Sequence, residues 1–179
     1  MSAPNLKSGL APIGCEAARL LILGSLPGDE SIRQQQYYAH PQNQFWRLLS
    51  AVFDEPMCET YDARLALVAR HNIAVWDVLK HAARTGSLDT AIKNPVANAF
   101  VPFLQKHAGL EAIAFNGQKA AALFKRHVMP ELGDRLNGIE TAVLPSTSPA
   151  AATLSFDQKV TQWRALLVGG AGRRSTLRR

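Results

Sequence analysis

The sequence predicts an α/β fold built on a mostly parallel β-sheet. The first observation is a set of short, continuous apolar runs, each of which ends in Gly, Asp, Asn, Pro or Ser. Such runs suit strands that are covered on both faces, as they are in parallel sheets. The second observation is that helical patterns separate these runs along the chain. Alternating strands and helices are typical of α/β proteins.

Four buried strands are predicted, at residues 19–25, 72–78, 110–117 and 140–146. Helices are expected where apolar residues recur with helical spacing, at residues 43–53, 62–71, 98–107, 118–128 and 155–170. Residues 80–96 contain the polar stretch TGSLDTAIKNP and are predicted to form a long connection after the second strand. Connections of that length often have a functional role.

A single domain is expected to account for nearly all of the chain. The 179 residues, with 47% hydrophobic and 19% charged residues, suffice for one globular core. We place this domain at residues 1–170 and a flexible basic tail at residues 171–179. The formal net charge of +6 suggests a polyanionic partner, but four arginines lie in the last seven residues, where there is no acid. The tail is expected either to contact phosphates or to be a solvated terminus.

Several classes of protein are excluded by what the sequence lacks. No apolar run approaches the ~20 residues that span a bilayer, and the N-terminus has no signal-peptide pattern, so a cytoplasmic protein is expected, nucleoid-associated in a prokaryote. Two distant cysteines and five histidines without metal-ligand spacing predict neither a metal nor a cofactor. P-loop, dinucleotide-binding and G-x-S-x-G motifs are absent, which argues against P-loop ATPases, dinucleotide-binding proteins and α/β-hydrolases.

The first predicted strand leads into an unusual loop. Its GSLPG turn has two glycines that permit a close backbone approach, and N–H groups in such a turn can hold a carbonyl or an anion. The loop continues as YYAHPQNQFW, in which Tyr37 and Tyr38 can stack on a flat ring. Asn43 can both donate and accept hydrogen bonds, and it also fits an N-cap of the following helix. Phe45 and Trp46 fit the core of that helix better than a ligand contact.

The other predicted strands also have polar carboxyl ends. The second strand ends in WDVL, the third in FNG, and the fourth in PSTSPA, a hydroxyl-rich loop stiffened by Pro149. Ligands of parallel sheets bind at this edge, so one cleft is expected to collect all four segments. Stacking, amide hydrogen bonds, backbone donors and hydroxyls together suit a nucleobase better than a sugar or an acyl group. A Ser25–His40 nucleophile and base pair, by contrast, has no orienting carboxylate placed beside it.

In their order along the chain, these motifs resemble the uracil-DNA glycosylase superfamily. GSLPG, YYAHPQNQFW, WDVL with TGSLD, FNG and PSTSPA extend from Leu20 to about Trp163. The hypoxanthine-DNA glycosylase branch, the sixth family, is more similar than the mismatch-specific uracil/thymine branch, in which an Asn stands at the position of Ser25 and NPSG replaces STSP. The resemblance implies a three-layer α/β/α sandwich with a central four-stranded parallel sheet. It also implies monofunctional base excision without a cofactor.

The resemblance further implies roles for individual residues. Asn43 is expected to be catalytic, either positioning the water that attacks C1′ or stabilising the departing base. Tyr38 is expected to stack on the flipped base, while Gly24, Ser25 and Leu26 of the GSLPG turn contact the edge of the base.

The remaining expectations concern the rim of the cleft. Asn116 is expected to line the pocket or to lie beside a phosphate. The loop after the fourth strand is expected to press on the DNA, with serine hydroxyls on phosphates, through Ser146, Thr147, Ser148 and Pro149. His40 is a candidate general acid, with a structural role as the alternative.

Two alternative functions remain open from the sequence. One is a mismatch-specific uracil/thymine-DNA glycosylase, and the other is a non-catalytic nucleic-acid-binding module of the same fold. Deoxyinosine is the favoured substrate because of the resemblance, and the small side chain of Ser25 is compatible with a purine. The expected partner is DNA containing a deaminated base, and the expected protein is a monomer that does not bind membranes.

Overall fold

The computed structural model of the chain describes residues 6–83 and 92–169. Its elements, in chain order, are β1 (Leu6–Ser8), β2 (Leu20–Gly24), α1 (Asp29–Gln34), α2 (Phe45–Val52), α3 (Tyr61–Arg70), β3 (Ile73–Asp77), β4 (Leu79–Ala83), β5 (Lys93–Ala97), α4 (Phe100–Lys106), β6 (Ala112–Asn116), α5 (Gln118–His127), α6 (Met129–Leu132), a 3-10 turn (Gly133–Leu136), β7 (Glu140–Leu144) and α7 (Phe156–Leu167). The four predicted strands correspond to β2, β3, β6 and β7, and the five predicted helices to α2, α3, α4, α5 and α7. The prediction that all four strands are buried is wrong for β7, an edge strand in which only Leu144 is buried. The short helices α1 and α6 are additional.

The predicted strands form one parallel sheet in the order β3-β2-β6-β7. The central strand β2 is apolar along its length because both of its faces are covered, and Leu21, Ile22 and Leu23 are completely buried. Parallel strands end at a common edge, where Gly24 of β2 lies in register with Asp77 of β3. The polar residues that follow each apolar run therefore meet at this carboxyl edge.

Helices cover both faces of the sheet, so the molecule is a three-layer α/β/α sandwich, as predicted. On one side α2 packs against α7, and the ring of Phe45 meets the edge of Trp163. A second aromatic group joins Phe124 of α5 to Phe100 of α4 and Phe115 of β6. These contacts fill the two hydrophobic layers, and they confirm Phe45 as a core residue rather than a ligand contact.

The structure corrects the prediction that residues 80–96 form a long polar connection. β4 and β5 occupy the two ends of this segment and pair antiparallel, and β1 pairs with the other edge of β4. The TGSLD stretch lies outside the described residues. These strands lack a continuous apolar pattern because β1 and β5 are partly exposed. Pro95 is compatible with β5 because β5 is an edge strand.

The last helix, α7, is fixed at its start and along its buried face. Ser155 Oγ accepts the N–H of Gln158, and the Gln158 side chain accepts the N–H of Ser155, which forms a capping box. The indole N–H of Trp163 donates to the carbonyl oxygen of Pro145 at 2.9 Å. This contact ties α7 to the chain that leaves β7, next to the carboxyl edge of the sheet.

The predicted basic tail at residues 171–179 lies outside the described residues, and the domain boundary at residue 170 stays a prediction. Within residues 6–83 and 92–169, no helix has both the length and the apolar character needed to cross a bilayer.

Candidate active site

A cavity of about 480 Å³ opens at the carboxyl edge of the parallel sheet. Its volume lies within the ~300–1,000 Å³ typical of small-molecule sites. As predicted, the ends of all four strands contribute to its wall, through residues 24–28, Asp77, Asn116 and residues 146–151. The loop between α1 and α2 completes the wall with Tyr37, Tyr38, His40 and Asn43. In the described part of the chain, no group of three or more His, Cys, Asp or Glu side chains is arranged to hold a metal ion.

Asn43 is half-buried in this wall, and the backbone orients its amide. Its Oδ1 accepts the N–H of Phe45 at 3.0 Å, at the start of α2. Because a backbone N–H can only donate, this contact identifies the amide oxygen. The side chain makes no other hydrogen bond within residues 6–83 and 92–169, so its NH₂ group is available to a ligand. The N-cap of α2 is Gln44, so the prediction of Asn43 as the N-cap is wrong by one residue; its side chain instead closes the turn that leads into the helix.

His40 shapes the turn that presents Asn43. Its Nδ1 accepts the N–H of Gln42 at 3.2 Å, and its carbonyl oxygen accepts the N–H of Asn43 at 2.9 Å. A neutral imidazole whose Nδ1 accepts carries its proton on Nε2. The side chain is exposed at the rim of the cavity. These contacts give His40 a structural role, and general acid catalysis by His40 stays a prediction.

The two adjacent tyrosines lie in different environments. The Tyr37 hydroxyl donates to the carbonyl oxygen of Leu10 at 3.2 Å, and the Trp46 indole donates to the carbonyl oxygen of Tyr37 at 2.8 Å. The buried Tyr37 ring thus belongs to the core rather than to a stacking surface. Tyr38 is half-buried, has φ 51° and stacks on Phe45 with ring centroids 3.9 Å apart. This left-handed conformation costs a non-glycine residue about 1–2 kcal/mol, which packing of the ring must offset.

Gly24 leaves room for two polar groups at the end of β2. A Cβ at this position would lie 2.5 Å from Oδ1 of Asp77 and 2.9 Å from the hydroxyl oxygen of Tyr38. Only glycine fits so close an approach. Asp77 is 3% exposed, so a carboxyl group is buried in the cavity wall. The predicted site residues do not include Asp77. An acid at the end of an otherwise apolar strand is the feature of the sequence that could have identified it.

The GSLPG turn stays attached to the sheet beyond the end of β2. The carbonyl oxygens of Gly24 and Ser25 accept the N–H groups of Val78 and Leu79 at 2.9 and 3.0 Å. Ser25 and Leu26 are buried and line the cavity. The turn is therefore a rigid part of the wall, and its contact with the edge of a base stays a prediction.

The structure corrects the role predicted for Thr147 and adds one for Asn116. Asn116 Nδ2 donates to Thr147 Oγ1 at 2.9 Å, and the N–H of Thr147 donates to Asn116 Oδ1 at 2.9 Å. Thr147 is completely buried, so its side chain does not face DNA. Asn116 lines the cavity, but both ends of its amide hold the loop of residues 146–151 against β6.

Ser146 and Ser148 have a geometry that suits phosphate contacts. Ser146 Oγ accepts the N–H of Ser148 at 3.2 Å, and Ser148 Oγ accepts the N–H of Ala150 at 3.3 Å. A hydroxyl that accepts a hydrogen bond keeps its own hydrogen for donation. Pro149 is exposed beside them. DNA contacts by Ser146, Ser148 and Pro149 stay predictions.

Two carboxylates of α1 line the cavity, and each has a basic partner. Lys7 bonds to Asp29, and Arg33 bonds to Glu30. The hydrogen bond from the Arg33 guanidinium is the main cause that lowers the pKa of Glu30 to about 2, with Gln34 as a second donor. These contacts reduce the repulsion that the two acids would exert on a polyanion.

The comparison with known families confirms the resemblance seen in the motifs. The family model described as "Uracil DNA glycosylase superfamily" matches residues 11–167 of the chain. A solution NMR structure from Methanosarcina acetivorans, described as a candidate uracil DNA glycosylase, has a TM-score of 0.77 and 38% sequence identity to the chain. That match covers 91% of this chain and 97% of the other.

Two curated relatives are similar over most of their length. A protein from Methanosarcina barkeri named hypoxanthine DNA glycosylase is 41% identical over 145 residues, which make up 80% of this chain and 87% of the relative. A protein of the same name from Methanosarcina acetivorans is 38% identical over 162 residues, or 90% of this chain and 98% of the relative. The chain therefore belongs to the uracil DNA glycosylase superfamily.

Proposed function

We propose that this protein is a monofunctional DNA glycosylase that hydrolyses the N-glycosidic bond of deoxyinosine and releases hypoxanthine. The flipped nucleotide enters the cavity at the carboxyl edge of the sheet. The observation that supports this most directly is the Asn43 amide, whose oxygen is held by Phe45 and whose NH₂ group remains available in the cavity wall. The names of two relatives that match most of this chain support the choice of base.

Asn43 acts on the charge that develops as the bond breaks. When the bond from C1′ to the base lengthens, positive charge grows on the sugar and negative charge on the base. The two N–H donors of Asn43 stabilise the departing base. Water adds its oxygen to C1′ and gives up a proton, and the released base takes up a proton on the nitrogen that was bonded to C1′. Donors that are already oriented stabilise this charge without reorganising during the reaction. Because Oδ1 is occupied by Phe45, this role fits Asn43 better than positioning the water.

Asp77 provides a basis for choosing hypoxanthine over adenine. N1 of hypoxanthine carries a hydrogen, whereas N1 of adenine is an acceptor, so a carboxylate that faces N1 of the bound base favours the deaminated base. Asp77 is buried in that wall. The small side chain of Ser25 leaves space in the same cavity for a purine.

The proposal includes no strand cleavage by the enzyme. A glycosylase that also cuts the strand needs an amine to form a Schiff base with the sugar. Among the described residues that line the cavity there is no lysine. The product is therefore an intact strand with an abasic site.

A glycosylase assay tests the proposal. End-labelled duplexes and single strands would carry one deoxyinosine, one deoxyuridine or, in duplexes, a G·T mismatch, and each product would be divided into samples with and without hot alkali. We expect cutting at deoxyinosine that depends on alkali. Cutting at deoxyuridine alone would assign the protein to the mismatch-uracil branch. Intact DNA with retained DNA binding would reject catalysis and favour a binding module.

A further inference from the structure

Lys159 of α7 is a buried lysine with two neutral partners. The residue is 3% exposed, and its Nζ donates to Gln44 Oε1 at 3.0 Å and to the carbonyl oxygen of Ala151 at 2.8 Å. In the described part of the chain it forms no ion pair with a carboxylate. Burial lowers the pKa of its ammonium group, since the charge is poorly solvated there. Lysine is rarely buried, so this position calls for an explanation.

The two partners of Lys159 belong to two neighbouring segments that contribute to the cavity wall. Gln44 directly follows Asn43, and Ala151 ends the loop of residues 146–151. The same two segments are joined once more, because the N–H of Gln44 donates to the carbonyl oxygen of Thr147 at 3.0 Å. Lys159 itself is not among the residues that line the cavity. It therefore lies behind the wall and bridges the two segments.

We propose that Lys159 is a positioning residue for base excision, which holds the Asn43 turn and the loop of residues 146–151 in a fixed relation. The inference rests on the proposed function, because Asn43 is the group being positioned. One segment presents the amide that acts on the base, and the other presents the serines expected to contact phosphates. A lysine suits this place because its ammonium group has three donors that point in different directions.

The inference predicts a specific kinetic effect. Small displacements of a catalytic group reduce the rate of reaction strongly, whereas affinity for DNA depends mainly on phosphate contacts. Loss of the Lys159 bridge should therefore slow excision more than it weakens DNA binding. A residue that only stabilises the fold would not separate the two quantities in this way.

Two variants break the bridge, and a third serves as control. Lys159→Met removes the donors at similar length, and Gln44→Leu removes the side-chain acceptor from a half-buried position. The control, Arg164→Met, removes another cation of α7, one that bonds to the carbonyl oxygen of Ala51 and to Asp54 at the far end of α2. Gln44→Leu also keeps the inference testable should Lys159→Met fail to fold.

Single-turnover excision of deoxyinosine and DNA affinity by fluorescence anisotropy would be measured for each variant. We expect both Lys159→Met and Gln44→Leu to lower the excision rate about tenfold, with dissociation constants within about twofold of the parent. For Arg164→Met, the excision rate and the dissociation constant should both stay within about twofold of the parent values. The double variant Lys159→Met/Gln44→Leu should be no slower than the slower single variant, because one bridge is lost in each case.

The inference is overturned if Lys159→Met excises at the parental rate, if Arg164→Met is slowed equally, or if the rate losses of Lys159→Met and Gln44→Leu multiply in the double variant.

Hydrogen exchange distinguishes a failure of the Lys159 inference from a failure of the proposed function. The N–H of Gln44 should exchange faster in Lys159→Met than in Arg164→Met, because its bond to Thr147 spans the two segments. Unchanged exchange overturns the bridge. A parent protein that excises no base rejects the proposed function, while exchange still decides whether Lys159 joins the segments.

Discussion

The two ends of the Asn43 amide have different roles: the oxygen bonds to the start of α2, and the NH₂ group is proposed to act on the base. The oxygen accepts the first free N–H of α2, which would otherwise lack a partner. That contact also removes the freedom of the amide to turn, so the NH₂ group has a fixed direction. The bond that closes the turn before α2 is therefore also the means by which the donors are oriented.

Substitutions at Asn43 can separate these two functions. Asn43→Asp keeps an acceptor for the N–H of Phe45, and an acid is favourable at the start of a helix, so thermal stability should change little. Asn43→Ala loses the bond to the N–H of Phe45 and should cost about 0.5–1.5 kcal/mol in the free energy of unfolding. Both variants lose the NH₂ donors and should slow deoxyinosine excision about 100-fold or more. Denaturation curves and single-turnover assays on both variants test this, and near-parental excision by Asn43→Asp would contradict the role of the donors.

At the scale of elements, the loop of residues 146–151 is held by hydrogen bonds from three other segments, two of them through side chains and one through the backbone. Asn116 at the end of β6 pairs with Thr147, Gln44 before α2 donates to Thr147, and Lys159 of α7 reaches Ala151. The loop contains no regular secondary structure of its own. Its shape therefore depends on these contacts, and those from Asn116 and Gln44 reach the loop from far away in the sequence.

Thr147→Val tests how much the pair of Thr147 with Asn116 contributes to the free energy of unfolding. Valine has nearly the shape of threonine but leaves Asn116 Nδ2 without its partner, which should cost about 1–3 kcal/mol in the free energy of unfolding. Thr161→Val is the matched control, because the Thr161 hydroxyl donates to a carbonyl oxygen within the exposed part of α7. Thr161→Val should change the free energy of unfolding by no more than about 0.5 kcal/mol. Equal effects in urea denaturation would show that the Asn116–Thr147 pair does not hold the loop.

The elements that the sequence predicts are those whose signal is local. β2, β3 and β6 are continuous apolar runs, and each ends in a residue that breaks the pattern, whereas β7 is an edge strand in which only Leu144 is buried. β1 and β5 are short and partly exposed, and they become strands only by pairing with β4, so no local pattern reveals them. The same distinction applies to the site. Asn43 and Tyr38 lie in a recognisable motif, whereas Lys159 resembles any solvated lysine of a helix until the fold places it behind the cavity.

On the scale of the whole molecule, the N-terminal segment is attached to the central sheet through polar groups in the core. Ile13 exchanges two backbone hydrogen bonds with Val75 of β3, each 2.9 Å long. The carbonyl oxygen of Leu10 accepts from both the Tyr37 hydroxyl and the Trp76 indole at 3.2 Å. Tyr37, in the loop between α1 and α2, therefore bonds to the N-terminal segment through Leu10 and to the core through Trp46.

The burial of Tyr37 predicts how stability depends on pH in the alkaline range. Burial, assisted by the charge of Asp77, raises the pKa of the Tyr37 phenol above its usual value near 10. The folded state thus binds this proton more tightly than the unfolded state does. Its contribution to stability is complete below pH 10 and is lost as the pH rises beyond 10.

Tyr37→Phe should remove this part of the alkaline dependence. At pH 7 the variant should be less stable by about 0.5–1.5 kcal/mol, because the bond to Leu10 is lost. Between pH 10 and 11.5 it should lose less stability than the parent protein in urea titrations. Tyr61→Phe is the comparison, since burial also raises the pKa of the Tyr61 phenol, but Tyr61 is only half-buried and the N–H of Tyr37 opposes the rise. An identical alkaline decline in Tyr37→Phe and the parent would contradict the assignment.

The strand order also bears on how the protein is synthesised. β2 is the first strand of the parallel sheet to leave the ribosome, yet it is central and needs both β3 and β6 beside it. The cavity wall is completed only by the loop after β7, which is in turn held by α7. Since translation proceeds from the N-terminus, the Asn43 turn exists long before its partners Thr147 and Lys159 are made. A nascent chain therefore has the proposed catalytic amide without a site in which to use it, and the proposed capacity to act on DNA arises only after α7 has been made.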